Sequence, residues 1–428
     1  MPDPLRRGPD GVQAKITPSL ACNNDCRFCY NRLDKREARA LSEARVLELV
    51  DEAAASGAEA LNFIGGEVTI LPYFERALAR ASGRFQAVSI NTNGRRFADE
   101  HFARRCAALG LTAVDVSLHG STGAVHDLVS RTPGAWAETT AGLRNLAAIA
   151  SEDPRLAVSV TTLVLDWNLG DLAATGALVA SLGVRAWRLK YAFGVADPTR
   201  PEVPAEYLVP FERALPALRR AVEANARALN IQVHDVPTCV LGDLYEFSTV
   251  HERHRVARYD EGGLDAVAPV LGRWGETSAR CAPCAARDRC GRALPGYVYH
   301  LGDGALLPLD EAAFDALRVR AREARGALES RCGAHAAPHE PHALQTLFDA
   351  LDAHARAGDW TAVREEALRA EALCPGHPEA VRMRRRAEVK LLEAIAERLE
   401  RHGDRARARR TLALVRLHYG DLVRGSGS

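Results

Sequence analysis

A group of cysteines close to the N-terminus has a spacing that suits iron-sulfur chemistry. Cys22, Cys26 and Cys29 lie in the stretch ACNNDCRFCYN, and Phe28 comes directly before the third cysteine. A closed structural zinc site needs four protein ligands, so three thiolates on one short loop do not complete it. They can bind three irons of a [4Fe-4S] cluster and leave the fourth iron open to a chelator from outside the protein. The alternatives are a structural metal knuckle or buried core thiols.

A Gly-Gly-Glu triplet follows at the end of the next predicted strand. Gly65, Gly66 and Glu67 come directly after the apolar run at residues 60–64. Glycine lets a backbone approach a ligand closely, and the carbonyl and carboxylate oxygens of a strand end can accept hydrogen bonds from an ammonium group. By itself such a triplet is a common turn, but after the cysteine loop it favours a ligand site.

The two motifs together resemble those of the radical S-adenosylmethionine (radical SAM) superfamily. The resemblance extends over about residues 15–305 and implies that the amino and carboxylate groups of SAM bind the open iron. It also implies that the Gly-Gly-Glu triplet contacts the amino group of SAM, and that Phe28 shields the cluster from water. In this family an electron from the cluster splits SAM into methionine and a 5′-deoxyadenosyl radical. Thr69 matches the family pattern, whereas Val68 replaces its usual proline.

The resemblance places further SAM or substrate contacts at the ends of later predicted strands. Thr92 and Asn93 belong to a Thr-Asn-Gly sequence similar to the one that ends the family's third strand, and Ser117 ends the fourth. Thr161 and Arg188 lie towards the ends of the fifth and sixth strands, where they would point into the barrel mouth. The alternative for each is a polar turn or packing residue. The implied cofactor-binding set is Phe28, Gly65, Gly66, Glu67, Thr92, Asn93, Ser117, Thr161 and Arg188.

Four other residues are candidates for catalysis or for substrate binding. His119 and His126 carry imidazoles, which titrate near neutral pH and suit acid-base chemistry. Lys190 and Tyr191 end the sixth predicted strand, and either Lys190 or Arg188 could clamp a carboxylate. The alternative for either histidine is an ordinary loop residue, and some of the strand-end residues are expected to be structural.

A second set of cysteines lies in the C-terminal half of the chain. Cys281, Cys284 and Cys290 are closely spaced, and Cys239 can supply a fourth thiolate. Four thiolates complete either a zinc site or a [4Fe-4S] cluster. After a radical SAM barrel, the pattern resembles a twitch-type auxiliary domain, which is a shortened relative of the SPASM domain. This resemblance implies one auxiliary [4Fe-4S] cluster, and its full ligation by protein favours a role in electron transfer; zinc is the alternative.

The predicted elements that carry these residues alternate between strands and helices. Six strand-helix units by about residue 230 predict an α/β fold with a parallel sheet, and radical SAM cores are partial (β/α)6 barrels. In such barrels the chemistry lies at the C-terminal ends of the strands, where the motifs above are placed. The predicted strands cover residues 15–20, 60–64, 87–91, 113–118, 156–165 and 186–191.

The pattern also predicts how the chain divides into domains. From residue 343 helical hairpins resemble tetratricopeptide repeats, although their Gly-Asp turns lie 45 residues apart and not at the usual repeat of about 34. This region is expected to bind a peptide or partner, or to dimerise. The predicted divisions are a disordered lead-in at 1–14, the barrel at 15–230, an auxiliary cluster domain at 231–305, a helix and linker at 306–342 and the helical domain at 343–424.

Composition excludes several classes of partner and compartment. The 428 residues carry a formal net charge of +1, which gives no electrostatic footprint for nucleic acid or an anionic membrane. No apolar run approaches the length of a membrane span, and no secretory signal precedes the first motif. Closely spaced cysteines without such a signal favour metal binding in a reducing, cytoplasmic compartment.

These features predict a radical SAM oxidoreductase or transferase that uses two [4Fe-4S] clusters, SAM and a reductant such as flavodoxin or ferredoxin. The favoured substrate is a peptide or protein side chain that is oxidised or cross-linked. Against it, about a dozen residues precede the barrel, which leaves no room for a leader-binding domain. The alternative substrate is a small polar metabolite such as an amino sugar, cyclitol, nucleoside or amino acid. A non-catalytic iron-sulfur scaffold or redox sensor is the alternative of another class, and the complete Gly-Gly-Glu triplet argues against it.

Overall fold

The computed structural model of the chain contains two compact units, which lie within Met1–Arg325 and Gly326–Ser428. The first holds both sets of cysteines, and the second holds the C-terminal helices. The residues that the structure describes are 12–29, 40–191, 208–248, 255–260, 262–269, 278–329, 354–355, 357–373, 378–401, 405, 409 and 412.

A nine-stranded sheet lies at the centre of the first unit, with the strand order β7-β6-β5-β4-β3-β2-β1-β8-β9. Strands β1 to β7 are parallel and lie in chain order, β8 is parallel to β1, and β9 is antiparallel to β8. The strands are Val12–Ile16 (β1), Ala60–Phe63 (β2), Ala87–Thr92 (β3), Ala113–Ser117 (β4), Ala157–Val164 (β5), Ala186–Tyr191 (β6), Asn230–His234 (β7), Arg255–Asp260 (β8) and Gly263–Pro269 (β9).

This topology confirms the predicted α/β fold with a parallel sheet. Consecutive parallel strands that are neighbours in the sheet give the order that a partial (β/α) barrel requires, whereas a doubly wound sheet reverses its order near the middle. Strands β7 and β9 each have one neighbour in the sheet, so the sheet is open. The carboxyl ends of β1 to β7 therefore meet at one edge.

Helices connect the strands and cover one face of the sheet. Helix α1 begins after Ser42, whose hydroxyl caps the helix by accepting a hydrogen bond from the Arg45 amide at 3.2 Å. The helices that begin in this unit are Glu43–Ala55 (α1), Phe74–Ala81 (α2), Glu100–Ala108 (α3), Gly123–Ser130 (α4), Ala135–Glu152 (α5), Leu172–Ser181 (α6), Phe211–Asn225 (α7), Thr238–Leu241 (α8), Pro295–Leu301 (α9) and Glu311–Glu329 (α10).

Two predicted boundaries differ from the structure. The first strand is β1, which ends at Ile16, so residues 17–21 are a connection to the cysteine loop and not part of the strand. The sheet also continues with β7, β8 and β9, beyond the six strands that the sequence predicts. Strand β8 reads RVARYD, and its charged residues hide the alternation that usually marks a strand. The strand is instead stabilised by its parallel pairing with β1.

The sheet has an apolar face and a polar face. Successive side chains of a strand point to opposite sides, and the apolar set, including Ile16, Leu61, Phe63, Ile90 and Val114, is buried in the core. The other side carries a line of polar residues that crosses six neighbouring strands, which we call the polar face. Its members are Asn62, Asn91, Asp115, Ser159, Thr161, Arg188 and Gln232.

Hydrogen bonds join the polar face into one network with Asp115 at its centre. The Asn91 amide donates to Asp115 at 3.0 Å, and the Ser159 and Thr161 hydroxyls donate to it at 2.8 Å each. Arg188 forms an ion pair with Asp115 at 3.2 Å and also donates to the Ser159 hydroxyl at 2.7 Å. Since both charged side chains are largely buried, each needs the other to compensate the loss of water.

The second unit contains a pair of helices, Trp360–Leu373 (α11) and Pro378–Arg401 (α12). They share a small core of Val363, Ala367, Met383 and Ala387. The turn before α11 contains Gly358 at a φ of +73°, as expected for a Gly-Asp turn. The second Gly-Asp turn, at residues 403–404, lies outside the described residues, so the tetratricopeptide-like repeat stays a prediction.

Across the described residues, the search for a helix both long enough and apolar enough to span a bilayer finds none.

Removal of the central carboxylate should cost far more stability than removal of a surface charge. Asp115→Ala leaves the Arg188 guanidinium buried without its partner, and we expect the free energy of unfolding to fall by about 3–5 kcal/mol. Arg104→Ala is the control, because Arg104 pairs with Glu152 while 45% of its side chain is exposed; we expect a much smaller loss, since solvent screens this pair. Urea denaturation followed by circular dichroism measures both, and equal losses would contradict the buried ion pair.

Candidate functional site

The cysteine loop is joined to the end of β2 by main-chain hydrogen bonds. The amide of Gly66 donates to the Ser19 carbonyl at 2.9 Å, and the amide of Glu67 donates to the Ala21 carbonyl at 2.8 Å. Ala21 directly precedes Cys22. The Gly-Gly-Glu triplet therefore holds the segment that leads into the first cysteine.

The two glycines are required by this contact. Gly65 has a φ of +125°, which side chains rarely allow. A β-carbon added to Gly66 would lie 2.0 Å from the Ala21 carbonyl oxygen and 2.5 Å from that of Leu20. Both distances are far below a van der Waals contact. The two backbone segments therefore approach this closely only because Gly65 and Gly66 have no side chains.

The carboxylate of Glu67 is buried and accepts hydrogen bonds from Thr69, Thr92 and Asn93. Its Oε1 accepts from the Thr69 hydroxyl at 2.6 Å and the Thr92 hydroxyl at 2.8 Å, and its Oε2 accepts from the Asn93 amide at 2.7 Å. Burial raises the pKa of Glu67, and these hydrogen bonds oppose the shift. Glu67 thus ties the β2 end to the β3 end, which also explains the buried position of Thr92.

Asn93 and Arg95, which follow β3, contact the cysteine loop from another element. The Asn93 side-chain amide donates to Asn23 Oδ1 at 2.6 Å and lies 3.9 Å from the Cys22 sulfur. Arg95 Nη1 donates to the Asn23 carbonyl at 2.6 Å and to Asn24 Oδ1 at 2.9 Å. The structure therefore places Asn93 at the loop itself, and it adds Arg95 to the residues that position the cysteines.

The end of α4 holds the second half of the loop. The Asp25 amide donates to the Ser130 carbonyl at 3.2 Å, and the Arg27 amide donates to the Val129 carbonyl at 3.0 Å. Phe28 packs against a small apolar cluster of Val129, Leu163 and Leu165. Main-chain contacts from β2 and α4, together with the side chains after β3, thus fix the loop from Cys22 to Phe28.

His119 and His126 are interior residues and do not have the properties expected of acid-base groups at neutral pH. His119 Nδ1 accepts from the Leu163 amide at 3.3 Å, and His126 Nδ1 accepts from the His119 amide at 3.1 Å. Burial lowers the pKa of His119 to about 3 and that of His126 to about 4. The His119 ring lies 4.8 Å from the Phe28 ring, edge to face. Both imidazoles are therefore neutral at pH 7, and His119 packs against Phe28 of the loop while His126 packs against His119.

The residues predicted at the ends of β4 to β6 divide into two groups. Ser117 and Thr161 are half-buried neighbours on the same side of the sheet as the polar face, and the half-buried Lys190 lies 3.8 Å from the Asp235 carboxylate. The Arg188 side chain is buried and forms an ion pair with Asp115 within the polar face. Ser117 and Lys190 thus lie at or next to the carboxyl ends of β4 and β6, whereas Thr161 and Arg188 lie within β5 and β6.

Tyr191 belongs to the interior and not to the strand-end surface. Only 1% of the residue is exposed, and its hydroxyl donates to the Val209 carbonyl. Its ring packs 5.1 Å from Phe211 and 6.0 Å from Tyr297. Tyr191 follows Lys190 directly, so the alternation of the strand turns it to the opposite side. The structure therefore gives Tyr191 a packing role, whereas the sequence placed it with the catalytic candidates.

The second set of cysteines comes together around α8 and the segment at 278–290. Burial raises the pKa of Cys239 to about 11, and the neighbouring thiols of Cys290, Cys284 and Cys281 add to the shift. Main-chain amides point at these sulfurs. Those of Thr238 and Arg292 donate to Cys290 at 3.3 Å each, that of Leu309 donates to Cys284 at 3.4 Å, and that of Leu307 donates to Cys239.

The donor chemistry of both sets fits iron-sulfur ligation. Amide hydrogen bonds to sulfur stabilise thiolates and tune the potential of a cluster. None of the described cysteines forms a disulfide. Within the same described ranges, no three Cys, His, Asp or Glu side chains are gathered closely enough to bind one metal ion. The fit therefore rests on the spacing of the cysteines and on the main-chain amides that donate to their sulfurs.

Two residues that hold the candidate site together in the structure were not among the residues predicted from the sequence. Asp115 lies between Val114 and Val116 in a buried strand, and a charge at such a position is a signal that the pattern does contain. Arg95 carries no comparable signal, because an arginine after a turn is usually solvated. Only the folded proximity of β3 to the cysteine loop reveals its role.

Comparison with known proteins places the first unit in a family. The model of the radical SAM superfamily matches residues 16–179. Mycofactocin maturase MftC of Mycobacterium ulcerans is 30% identical over 319 residues, which are 68% of this chain and 84% of that protein. The sporulation killing factor maturation protein SkfB of Bacillus subtilis is 26% identical over 136 residues, 32% of this chain and 33% of SkfB. Among solved structures, Streptococcus suis SuiB bound to precursor peptide SuiA superposes with a TM-score of 0.45 at 13% identity, over 72% of this chain and 64% of SuiB.

A single methyl group on Gly66 should undo the docking of the cysteine loop. Gly66→Ala must push apart the Ala21 and Leu20 carbonyls, and we expect the free energy of unfolding to fall by about 1–3 kcal/mol. Gly170→Ala is the matched control, because a β-carbon there meets no atom within 4 Å; its effect should stay within about 0.5 kcal/mol. Urea denaturation compares the two, and similar midpoints would show that the close approach is not needed.

Proposed function

The chain belongs to the radical SAM superfamily, and from this premise we propose that it cleaves SAM reductively and removes a hydrogen atom from a peptide or protein side chain. The observation that carries the substrate class is the similarity to MftC, a maturase, at 30% identity over 84% of its length. SkfB, the second relative, is also named as a maturation protein. Oxidation or cross-linking of the side chain is the proposed outcome.

The cysteine loop supplies the ligands for the first cluster. Cys22, Cys26 and Cys29 would bind three irons, and the group would supply one electron to SAM at the open iron. The main chain of the turn at Gly65 and Gly66 lies beside the loop, and its carbonyl groups would accept hydrogen bonds from the amino group of SAM. Because Glu67 already accepts hydrogen bonds from β3 residues, its proposed role is to fix this turn and not to bind SAM.

The polar face provides the surface on which SAM and substrate would be oriented. Ser117 at the end of β4 is the register partner of Thr161 within β5, and Lys190 follows on β6. Hydroxyl and ammonium groups there suit the ribose and carboxylate of SAM and the amide groups of a peptide. Arg188 acts through Asp115, because their ion pair holds the Asp115 carboxylate in place within the polar face.

The cysteine quartet is proposed to hold an auxiliary [4Fe-4S] cluster. Cys239, Cys281, Cys284 and Cys290 would ligate all four irons, and the group would supply an acceptor for the electron that a substrate radical loses on oxidation. A flavodoxin or ferredoxin is the proposed external reductant, and the cytoplasm is the proposed compartment. The α11–α12 pair is proposed as a surface for the peptide or for a partner.

The polar face also favours a second candidate, modification of a small polar metabolite. A surface of amide, hydroxyl and guanidinium groups would match a sugar or amino acid as well as a peptide backbone. The maturase relatives favour the peptide. Mass changes measured on a peptide substrate, compared with those on free amino acids and sugars, distinguish the two substrate classes.

The first cluster is required for SAM cleavage. In anaerobically reconstituted protein with dithionite, we expect wild type to form 5′-deoxyadenosine and Cys26→Ala to form none above background, because one thiolate ligand is lost. Cys106→Ala is the control, since Cys106 is buried within α3 and away from both sets. Liquid chromatography measures the product. A wild-type protein with about eight irons that makes no 5′-deoxyadenosine would instead be an iron-sulfur scaffold.

The second cluster should be removable without loss of the first. We expect Cys284→Ala to lower bound iron from about eight to about four ions per chain, while substrate-independent cleavage of SAM is retained. Iron, sulfide and zinc are measured on the same samples, with Cys106→Ala again as the control. Wild-type protein that holds about four irons together with one zinc ion would refute the auxiliary cluster.

A further inference from the structure

Arg95 places a cation over the segment between the first two cysteines. Its Nη1 donates to the Asn23 carbonyl at 2.6 Å and to Asn24 Oδ1 at 2.9 Å. Only 16% of its side chain is exposed. A cation held this far from water keeps much of its field, because little solvent screens it.

The charge of Arg95 is only partly balanced by its ion-pair partner. Arg95 Nε donates to the carboxylate of Glu138 on α5, whose side chain is 50% exposed. Water and salt screen the carboxylate more strongly than the guanidinium. The cysteine loop therefore lies next to a residual positive charge that Glu138 reduces.

Asn93 adds an amide group beside the sulfur of Cys22. Its side-chain nitrogen lies 3.9 Å from Cys22 Sγ and donates to Asn23 Oδ1 at 2.6 Å. The main chain of Asn93 is fixed at both ends, because its amide donates to Glu67 and its carbonyl accepts from the Thr139 hydroxyl at 2.8 Å. The position of the Asn93 side-chain amide is therefore set by Glu67 and Thr139 as well as by the cysteine loop.

We propose that Asn93 and Arg95 are positioning residues that hold Cys22 in place and raise the reduction potential of the cluster bound by Cys22, Cys26 and Cys29. This inference rests on the proposed function, because it requires that cluster. Reduction adds one negative charge, which an N–H group near a ligand sulfur and a nearby cation both stabilise. Glu138 has the opposite effect, since it partly neutralises Arg95.

The test compares the midpoint potentials of four variants in anaerobically reconstituted full-length protein. Redox titration is followed by electron paramagnetic resonance, on the signal that changes shape when SAM is added. We expect Arg95→Gln and Asn93→Leu to shift the potential to more negative values and Glu138→Gln to shift it to more positive values. Arg95→Lys retains the charge and should lie closer to wild type than Arg95→Gln.

The opposite signs separate an electrostatic role from simple damage to the loop. Shifts of Arg95→Gln and Glu138→Gln in the same direction, or no shift in either at wild-type iron content, would overturn the inference. If Arg95→Gln fails to retain iron, Glu138→Gln still decides, because its half-exposed side chain is not needed for the contacts to the loop. A wild-type protein without any SAM-sensitive signal would instead overturn the proposed function itself.

Discussion

The close approach of two backbone segments determines the geometry of the candidate site. The turn at Gly65 and Gly66 fits against Ser19 to Ala21 with less room than a single methyl group needs. This contact fixes where the chain enters the cysteine loop, and the loop can then be reached from β3 and α4. A side chain at the turn would separate the cysteine loop from the end of β2.

Glu67 transmits this constraint to the rest of the barrel. Its buried carboxylate gathers Thr69, Thr92 and Asn93, so the ends of β2 and β3 cannot move independently. Asp115 does the same for β3 to β6 through Asn91, Ser159, Thr161 and Arg188. Buried charges with several partners are costly to break, and the strand ends are thereby held as one rigid surface.

The sequence predicts the parallel α/β fold, because strand alternation and helical spacing are local patterns. The spacing of Cys22, Cys26 and Cys29 and the triplet after β2 are local as well. What a residue does with its side chain depends on distant neighbours. His119 and His126 look like acid-base groups until burial lowers the pKa of both. Tyr191 faces the interior, Glu67 bonds to β3, and Arg95 reaches a loop about 70 residues away in the chain.

An anaerobic crystal structure of the reconstituted protein with SAM tests the account most directly. The account predicts a [4Fe-4S] cluster on Cys22, Cys26 and Cys29, with SAM on the fourth iron and its amino group at the main chain of Gly65 and Gly66. Glu67 should still accept hydrogen bonds from Thr92 and Asn93. A fourth protein ligand on that cluster, or a Glu67 carboxylate turned away from β3 to bind SAM, would contradict it.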